Sequence, residues 1–493
     1  MSNLSELLPA GAGAKSAEFV ASGTLGSGVA VVLKADGTVE AISQGTGDVT
    51  NYTEAQMATN GGTNTYVSAK YDSFNQNVVC LYLNTSSYPT LVVGEVSGNS
   101  IIFGTAVVAT STNAEWPVLG VKNGQYANGK GVVFFVNPSA LLTYGQFSVS
   151  GTTISVGSFN FSDTVNTGYG NALGIGYSPS YDEWLLTYIE AYSGYLRGVL
   201  VSAGASNPNL GSSVQETGPS NPSGYGISWD SNQSRFLVCM RYSNQDGYAV
   251  TANSDGSLGL TWGGTYYDYG GSSGNVAEWQ RVVYDSNLQK HLIVFANPDD
   301  SDNLYGVVAT LSGNAISFGT SSAIYTGTQY GSSQYDVAYD SDQGRMLVTF
   351  RKNDGPSSQY IFSVAVQLSG TSFNVGTDAL IRAGNAQFIT NTYNAFAKRV
   401  ISSYEEEGGT NQPFAIASQI ATSNFTDFIG ITDQAIADTA TGAVIVQGGV
   451  SDKVTGLTTG SDYYVQANGT LSTTVSSVPA GRALSSTSIL LEG

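Results

Sequence analysis

The string Tyr339-Asp340-Ser341-Asp342-Gln343-Gly344-Arg345-Met346-Leu347-Val348-Thr349-Phe350 decides the fold, because related strings occur along most of the chain. Each copy starts with an aromatic and a polar residue, passes through a turn and continues into an apolar run. The clearest other copies start at Tyr71-Asp72-Ser73, Trp229-Asp230-Ser231 and Tyr284-Asp285-Ser286, and the weaker copies start at Tyr177-Ser178-Pro179 and Tyr393-Asn394-Ala395. A turn between two β-rich runs is typical of an antiparallel hairpin.

The copies recur at a nearly constant spacing. A large apolar residue lies eleven positions after each start, and a further copy without the Tyr-Asp-Ser start ends at Phe135. These anchor residues follow one another at intervals of 52 to 55 residues: Tyr82, Phe135, Tyr188, Met240, Phe295, Phe350 and Tyr404. A period of this length is typical of propeller blades, which contain four strands each.

The later part of each unit contains a second hairpin signal. Ser97-Gly98, Ser312-Gly313 and Ser369-Gly370 each separate two β-rich runs, and glycine supplies the positive φ that a tight hairpin needs. Each unit is therefore predicted to contain four antiparallel strands. We expect an all-β protein with a seven-bladed β-propeller over residues 51–430. The structural alternative is an elongated β-solenoid, whose rungs are usually much shorter than this period.

The two ends of the chain depart from the blade pattern and resemble each other. Residues 25–39 align without gaps with residues 457–471, and Asp36-Gly37 and Asn468-Gly469 fall at corresponding positions. Such pairs between apolar runs are strong hairpin signals. Residues 1–50 and 431–493 are thus either two small β modules of one type or two halves of one module with the propeller inserted between them. The second option is favoured because domain termini usually lie close together.

Composition excludes several functional classes. The chain contains 18 Lys+Arg and 37 Asp+Glu, which gives a net charge of −19 and leaves no basic surface for nucleic acid. The single histidine, His291, is interpreted as a packed strand residue, so neither a multi-histidine metal site nor a serine–histidine triad is expected. Cys80 and Cys239 lie in different repeats and predict no disulfide framework. No stretch is apolar enough for a membrane span. We expect a non-enzymatic protein without catalytic residues or cofactors.

The loops opposite the repeated turns are the candidate binding face. They are longer and less regular than the Tyr-Asp-Ser and Ser-Gly turns, and they contain Tyr169, Tyr225, Tyr266, Tyr267, Tyr269 and Tyr330. Aromatic rings can stack on sugar rings, while amides and carboxylates bond to hydroxyl groups. The pattern predicts a face that binds a glycan or a protein. The alternative interpretation is that these tyrosines pack on the blades and order the loops.

A weak calcium candidate is the acidic stretch Asp299, Asp300 and Asp302. Carboxylates are suitable Ca²⁺ ligands, but the stretch lacks the glycine and the distal glutamate of an EF-hand loop. We therefore favour a solvated acidic loop and expect no metal site.

The terminal segments resemble the β modules of structural proteins from the virions of tailed bacteriophages. The resemblance lies in Leu7-Leu8-Pro9-Ala10-Gly11, Phe428-Ile429-Gly430-Ile431, Gly456-Leu457-Thr458-Thr459-Gly460, Tyr463-Tyr464-Val465 and Ala480-Gly481-Arg482-Ala483-Leu484-Ser485. The blades are also similar to structural proteins of marine phages. The resemblance implies a virion component made in the host cytoplasm: a fibre, knob or decoration protein that contacts host surface glycans. It also implies docking to other virion proteins through the terminal segments, and homo-oligomers are compatible with it.

Two other functions stay open at this point. A propeller glycosidase or lyase that degrades host polysaccharide would need paired carboxylates in the central funnel. A purely architectural tail or capsid protein would need no ligand at all.

Overall fold

The computed structural model describes residues 15–492 except residues 35, 43–48, 60, 63–65, 166–172, 219–221, 242–246, 270–277, 302, 328–333, 354–358, 408–410, 422–426, 467–468 and 477. The chain divides into two compact units, one formed by residues 48–420 and the other by residues 1–47 together with 421–493. Among the described residues, no helix has the length and apolar character needed to cross a membrane.

Two antiparallel sheets form the unit that contains both chain ends. Its strands are β1 (Ser16–Val20), β2 (Ala30–Leu33), β3 (Val39–Ala41), β38 (Phe428–Thr432), β39 (Thr441–Val446), β40 (Val450–Ser451), β41 (Asp462–Val465), β42 (Leu471–Ser472), β43 (Pro479–Ser485) and β44 (Ser488–Leu491). One sheet has the order β1-β39-β38-β2-β3, so the N- and C-terminal segments share it. The other has the order β40-β44-β43-β41-β42. The two segments therefore fold together as one module.

The internal sequence similarity of the ends corresponds to two matching hairpins. In one, the backbone N–H of Lys34 donates to Thr38 and that of Gly37 donates back to Lys34, over 2.8 and 2.9 Å. In the other, Gln466 donates to Thr470 and Gly469 to Gln466, each over 2.8 Å. Gly37 and Gly469 have φ of 83° and 75°, a conformation that glycine adopts without steric cost.

The unit boundaries differ slightly from the predicted segments 1–50, 51–430 and 431–493. Val49–Asn51 pairs with a propeller strand, whereas Phe428–Thr432 pairs with β2 and β39 of the terminal module. Each short strand belongs to the sheet that satisfies its backbone hydrogen bonds. The boundaries in the structure accordingly lie at 47/48 and 420/421.

Within the described part of residues 48–420, the strands form seven antiparallel sheets, here called blades 1 to 7. Blade 1 contains β6 (Ser68–Asp72), β7 (Asn77–Leu83), β8 (Pro89–Ser97), β9 (Ser100–Phe103) and β10 (Val107–Val108). Blade 2 contains β11 (Glu115–Val121), β12 (Lys130–Val136), β13 (Leu141–Ser150) and β14 (Thr153–Thr164). Blade 3 contains β15 (Leu173–Ser178), β16 (Glu183–Ile189), β17 (Leu196–Ser202), β18 (Asn209–Leu210) and β19 (Val214–Gln215).

Blade 4 contains β20 (Ser223–Asp230), β21 (Arg235–Arg241), β22 (Gly247–Ser254), β23 (Leu260–Trp262) and β24 (Tyr267–Asp268). Blade 5 contains β25 (Glu278–Asp285), β26 (Lys290–Asn297), β27 (Asn303–Ser312), β28 (Ala315–Phe318) and β29 (Ser322–Tyr325). Blade 6 contains β30 (Tyr335–Asp340), β31 (Arg345–Asn353), β32 (Gln359–Ser369), β33 (Ser372–Val375) and β34 (Ala379–Arg382). Blade 7 contains β35 (Ala386–Asn394), β36 (Arg399–Glu406) and β37 (Pro413–Ile420), completed by β4 (Val49–Asn51) and β5 (Ala55–Gln56). Short 3₁₀ turns occupy Gly124–Tyr126 and Pro298–Asp300.

The blades are arranged as a closed ring. The first strand of each blade contacts the first strand of the next, in the order β6, β11, β15, β20, β25, β30 and β35, and β35 contacts β6 again. The apolar core is divided into clusters between successive blades, for example around Phe295, Phe350 and Trp184. The predicted all-β propeller class is confirmed, and the elongated solenoid is not observed.

The N-terminal strands β4 and β5 close the ring by completing blade 7. Asn51 bonds with Ser363 of blade 6 and with Ser418 of blade 7, so it ties the two blades together. The Glu54 carboxylate accepts hydrogen bonds from the Tyr404 hydroxyl and, over 2.9 Å, from the Arg382 guanidinium. A strand from one end of the propeller sequence is thereby fixed to the blade at its other end.

The sequence predicted four strands in each unit, and in most blades the fourth strand is divided into two pieces. In blade 6, for example, β32 pairs with both β33 and β34. In several blades a glycine follows the first piece of the fourth strand. A Cβ at this glycine would lie within 3.2 Å of a residue in the next blade: Thr152 for Gly104, Leu258 for Gly211 and Thr371 for Gly319. The neighbouring backbone approaches too closely there for a side chain, and this contact interrupts the strand.

The polar residue of each Tyr-Asp-Ser copy stabilises the turn that follows it. Its side-chain oxygen accepts the backbone N–H groups two and three positions later, over 2.9–3.4 Å, at Asp72, Asp230, Asp285, Asp340 and Asn394. All five side chains are at most 2% exposed. Because a buried polar side chain must be paired, this bond fixes the first hairpin of the blade.

The aromatic residue of the same motif lies against the preceding blade. The phenols of Tyr284, Tyr339 and Tyr393 approach the carboxylates of Asp230, Asp285 and Asp340, respectively. Burial, together with this neighbouring negative charge, raises the pKa of each phenol, so the tyrosines stay protonated. The motif thus places a turn and a blade-to-blade contact at the same point.

Replacing Asp285 tests the turn bond. Asp285→Ala should lower the free energy of unfolding by roughly 2–4 kcal/mol, because two backbone N–H groups lose a buried, charged acceptor. Asp285→Asn should retain most of the stability, since Asn394 makes the same bonds over 3.1 and 3.0 Å. Denaturant unfolding measures both.

The control for this prediction is Asp255→Ala. Asp255 accepts the N–H groups of Ser257 and Gly259 over 2.7 and 2.9 Å in an exposed turn. Water can replace that acceptor, so its loss should cost clearly less. Equal costs for the two alanine variants would contradict the role given to the buried carboxylate.

Candidate functional site

The first strands of several blades contain the same irregularity near the end opposite the Tyr-Asp-Ser turn. The pairing register shifts between Glu115 and Val118, Ser223 and Gly226, Glu278 and Arg281, and Gln387 and Thr390. At each shift one residue has a positive φ: Trp116 (53°), Gly224 (64°), Trp279 (56°) and Phe388 (53°). Three of the four are large aromatic residues, for which this conformation is strained, and such strain concentrates at functional sites.

Aromatic rings from three blades meet at this level. The Tyr66 ring centroid lies 5.1 Å from that of Trp116 and 4.4 Å from that of Phe388, with the planes tilted by 57° and 44°. Tyr66 also has a positive φ, 27°. All three side chains are half-buried, so the cluster is packed and still partly accessible.

A cavity of about 520 Å³ lies beside this cluster. Its lining includes Tyr66, Trp116, Glu115, Asn113 and Ser87. Glu115 and Asn113 are exposed and can bond to hydroxyl groups, while the rings offer flat apolar surface. Burial and the Glu115 carboxylate raise the pKa of Tyr66 to about 12, so its hydroxyl stays a donor at neutral pH. This combination of groups suits a sugar.

The described members of the predicted tyrosine set belong to two packed cores, Tyr225 and Tyr266 to one and Tyr267 and Tyr269 to the other. Tyr169 and Tyr330 lie outside the described residues. Tyr225 and Tyr269 are only 6% and 5% exposed. The Tyr225 hydroxyl donates to the Pro222 carbonyl over 3.0 Å, and the Tyr269 ring packs between two phenylalanine rings. Both side chains are packed, which favours the alternative in which the tyrosines order their loops, while ligand binding at these two residues stays a prediction.

Tyr266 and Tyr267 are half-buried and remain candidates. The Tyr266 hydroxyl accepts the Gly218 N–H over 3.1 Å, and a Cβ at Gly218 would overlap its ring. Tyr267 packs on the core between blades 4 and 5. These contacts support the alternative in which the tyrosines order their loops, while ligand binding at the two residues stays a prediction.

A buried glutamate next to Tyr266 was missed by the sequence analysis. Glu216 is 2% exposed, and its Oε2 accepts the Gly218 N–H over 2.5 Å. Burial raises the pKa of this carboxyl to about 7, although backbone N–H groups partly offset the effect. A single glutamate in a loop carries no signal of this kind in the sequence.

The raised pKa of Glu216 predicts a pH-dependent stability. Between about pH 4.5 and pH 7 the unfolded chain loses this proton while the folded chain keeps it, so stability falls as the pH rises. The total loss should be roughly 3 kcal/mol, since each pKa unit is worth about 1.4 kcal/mol. Glu216→Gln should remove this component and be more stable than the wild type above pH 7. Unfolding curves from pH 4 to pH 8 measure it, and an unchanged pH slope in the variant would contradict the assignment.

The calcium candidate has little capacity for an ion. Asp300 Oδ2 already accepts hydrogen bonds from Tyr305 and Asn303, over 2.5 and 3.0 Å. Asp302 and the side chain of Asp299 lie outside the described residues. In the part of the chain that the structure describes, no three His, Cys, Asp or Glu side chains are grouped to hold a metal.

His291 is fully buried and hydrogen-bonded between blades 4 and 5. Its Nδ1 lies 2.8 Å from the Ser228 hydroxyl and its Nε2 3.2 Å from the Asp230 carboxylate. Burial lowers the pKa of the imidazole, which keeps it neutral. The residue types are those of a hydrolytic triad, but the imidazole has no exposed surface and Asp230 also stabilises the adjacent turn. We interpret this group as a blade-to-blade contact.

The first strands also enclose a central channel with two cavities, of about 230 and 450 Å³. Three charged side chains line it: Lys70, Arg281 and Asp336. Arg281 Nε lies 3.6 Å from Asp336 Oδ1. The sequence contains a signal for these charged residues, since most equivalent positions in the other blades carry small or apolar residues. The sequence analysis did not use that signal.

No protein-family model and no curated protein matches the chain. Solved structures of β-propellers are similar to it. A mutant of the Aleuria aurantia lectin AAL in complex with Fucα1-6GlcNAc is 13% identical with a TM-score of 0.41, over 66% of this chain and 98% of the lectin. The β-propeller domain of Myceliophteria thermophila Cps50 (Swd1) is 8% identical with a TM-score of 0.43, over 73% of this chain and 99% of the domain. A prolyl endopeptidase is 9% identical with a TM-score of 0.40, over 73% of this chain and 51% of the enzyme. At these TM-scores the similarities carry no argument about ligand or activity, and the propeller class rests on the ring of sheets.

Proposed function

We propose that the protein is a non-enzymatic, carbohydrate-binding β-propeller whose site is the cavity beside Tyr66 and Trp116. The observation that carries the proposal is the meeting of three aromatic rings, two of them beside an exposed carboxylate and an exposed amide in one cavity. Rings cover the apolar face of a sugar, and the polar groups of Glu115 and Asn113 bond its hydroxyls. Gly224 occupies the equivalent position of blade 4, so the fold itself does not require an aromatic residue at Trp116.

A glycosidase or lyase is less well supported. Hydrolysis of a glycosidic bond needs two carboxyl groups roughly 5–10 Å apart. Asp336 is the one carboxylate among the described residues that line the central channel, and it is bonded to the Asn391 backbone. Binding without cleavage therefore has the better support.

Removing the Trp116 ring tests the proposed site. Trp116→Gly copies Gly224, the equivalent residue of blade 4, so the positive φ is kept without strain. We expect at least a tenfold loss of affinity for the glycan that the wild type binds best, since truncated aromatic anchors usually cost more than 1 kcal/mol. An array of immobilised neutral and acidic glycans identifies that ligand, and calorimetry measures the affinity.

The matched control is Trp279→Gly. Trp279 has the same residue type, register shift and φ as Trp116, but it does not line the cavity. Its removal should leave the affinity unchanged. A wild-type protein that binds no glycan, or equal losses in the two variants, would contradict the proposal.

We further propose that the propeller is an appendage of a tailed-phage virion, as a fibre, knob or decoration protein that contacts host surface polysaccharide. The resemblance of the terminal segments to phage β modules supports this role. The two segments share a sheet and a core that includes Val32, Ile445 and Tyr463, as expected of a separate docking module. A purely architectural role predicts the same location without a ligand.

Labelling intact particles tests the location. Antibodies against the propeller should decorate the tail or the capsid surface of purified virions in electron micrographs. If intact particles stay unlabelled but denatured virion protein reacts with the antibody, the chain lies inside the particle. Absence of the chain from purified virions would contradict the virion role.

A further inference from the structure

The central channel is lined mostly by small or apolar residues at two levels of the first strands. The first level lies four positions before the polar residue of the motif. Its lining residues are Ser68, Gly174, Gly226 and Thr390 in four blades, but blades 5 and 6 carry Arg281 and Asp336 there. The second level lies two positions before the same polar residue. Its lining residues are Gly176, Ser228, Val283, Ala338 and Thr392, but blade 1 carries Lys70 there. The repeat therefore produces an uncharged channel, and three blades place charges in it.

These charges do not balance. Asp336 is engaged by Arg281 at 3.6 Å and by the Asn391 N–H at 2.7 Å. Within the described residues, the Lys70 ammonium makes no hydrogen bond and no ion pair. Two cations and one anion leave the channel positive, although the whole chain carries −19.

A half-buried ammonium without a protein partner is less well solvated in a channel than on the open surface. Burial lowers the pKa of Lys70, and the nearby Asp336 carboxylate only partly offsets the effect. A protein that needed no anion here could carry a small residue, as the other blades do. The lysine is therefore suited to a negative group supplied from outside the chain.

The channel adjoins the proposed glycan site. Tyr66 and Trp116 line both the cavity of about 520 Å³ and the channel cavity of about 230 Å³. At about 3.3 Å per strand residue, the level of Ser68 lies roughly 7 Å beyond Tyr66 and that of Lys70 roughly 13 Å beyond it. Lys70 and Arg281 line the same channel cavity as Tyr66 and Trp116, so all four side chains border one space.

We propose that the bound glycan is acidic: a sugar ring lies on the cluster of Tyr66 and Trp116, and its carboxylate points into the channel towards Arg281 and Lys70. This inference rests on the proposed carbohydrate-binding function and names the class of sugar. A carboxylate neutralises the excess charge of the channel and gives Lys70 a hydrogen-bond acceptor. The acidic surface elsewhere repels such a polymer, so productive contact is confined to this site.

Matched pairs of ligands test the proposal. Oligouronates from alginate and from polygalacturonate are compared with carboxyl-reduced oligosaccharides of the same length, by calorimetry at 0.15 M salt. The wild type should bind the better oligouronate at least tenfold more tightly than its reduced form, as expected for a charge-assisted hydrogen bond. In Lys70→Met the preference should fall below about threefold, while affinity for the reduced form stays unchanged.

Lys398→Met is the control, because it removes the same charge from a lysine whose side chain is 67% exposed and is paired with Asp342. It should keep the full preference. Equal wild-type affinities for the acidic and reduced forms overturn the inference, and so does a preference that survives in Lys70→Met. The wild-type comparison decides even if the Lys70 variant does not fold. Binding of neutral sugars alone leaves the carbohydrate-binding function standing, whereas failure to bind any glycan overturns both.

Discussion

A carboxylate shielded from water at the start of the blade is the interaction on which the propeller depends. Asp72, Asp230, Asp285 and Asp340 are buried, and each accepts two backbone N–H groups of the following turn. Three of them also lie beside a tyrosine of the next blade. Because a buried carboxylate tolerates few arrangements, it determines the hairpin and the position of the neighbouring blade together. Repeated around the chain, this local geometry leads to a closed ring.

The proposed function rests on departures from the repeat. At the register shift of the first strand, blade 4 has the unstrained Gly224, whereas Trp116 and Phe388 hold bulky rings in the same conformation. In the channel, Lys70 and Arg281 replace residues that are small or apolar in most other blades. Such substitutions are easy to recognise in a repeated fold. The residues at the equivalent positions of the other blades show which residue types the fold alone requires. The proposed site lies where the aromatic residues with strained backbone adjoin the charged residues of the channel.

Sequence patterns predicted those features that short-range geometry determines. The Tyr-Asp-Ser turns and the hairpins at Gly37 and Gly469 follow from local backbone conformation, and the structure contains them. The burial of Tyr225 and Tyr269 was not predicted, because it depends on neighbouring blades that the sequence does not display, and a ligand role for them stays a prediction. The divided fourth strand has the same cause: the next blade approaches it too closely. Trp116 was missed because its blade lacks the Tyr-Asp-Ser start, so the register shift could not be aligned.

Amide hydrogen exchange tests the central claim most directly. The N–H groups of Asn232, Gln233, Asn287 and Leu288 belong to turns on the protein surface, where unbonded amides exchange quickly. If buried carboxylates hold these amides, they should exchange as slowly as the central strands of the blades and should open only with the ring. Exchange at the rate of ordinary loops, with the central strands still protected, would contradict the account.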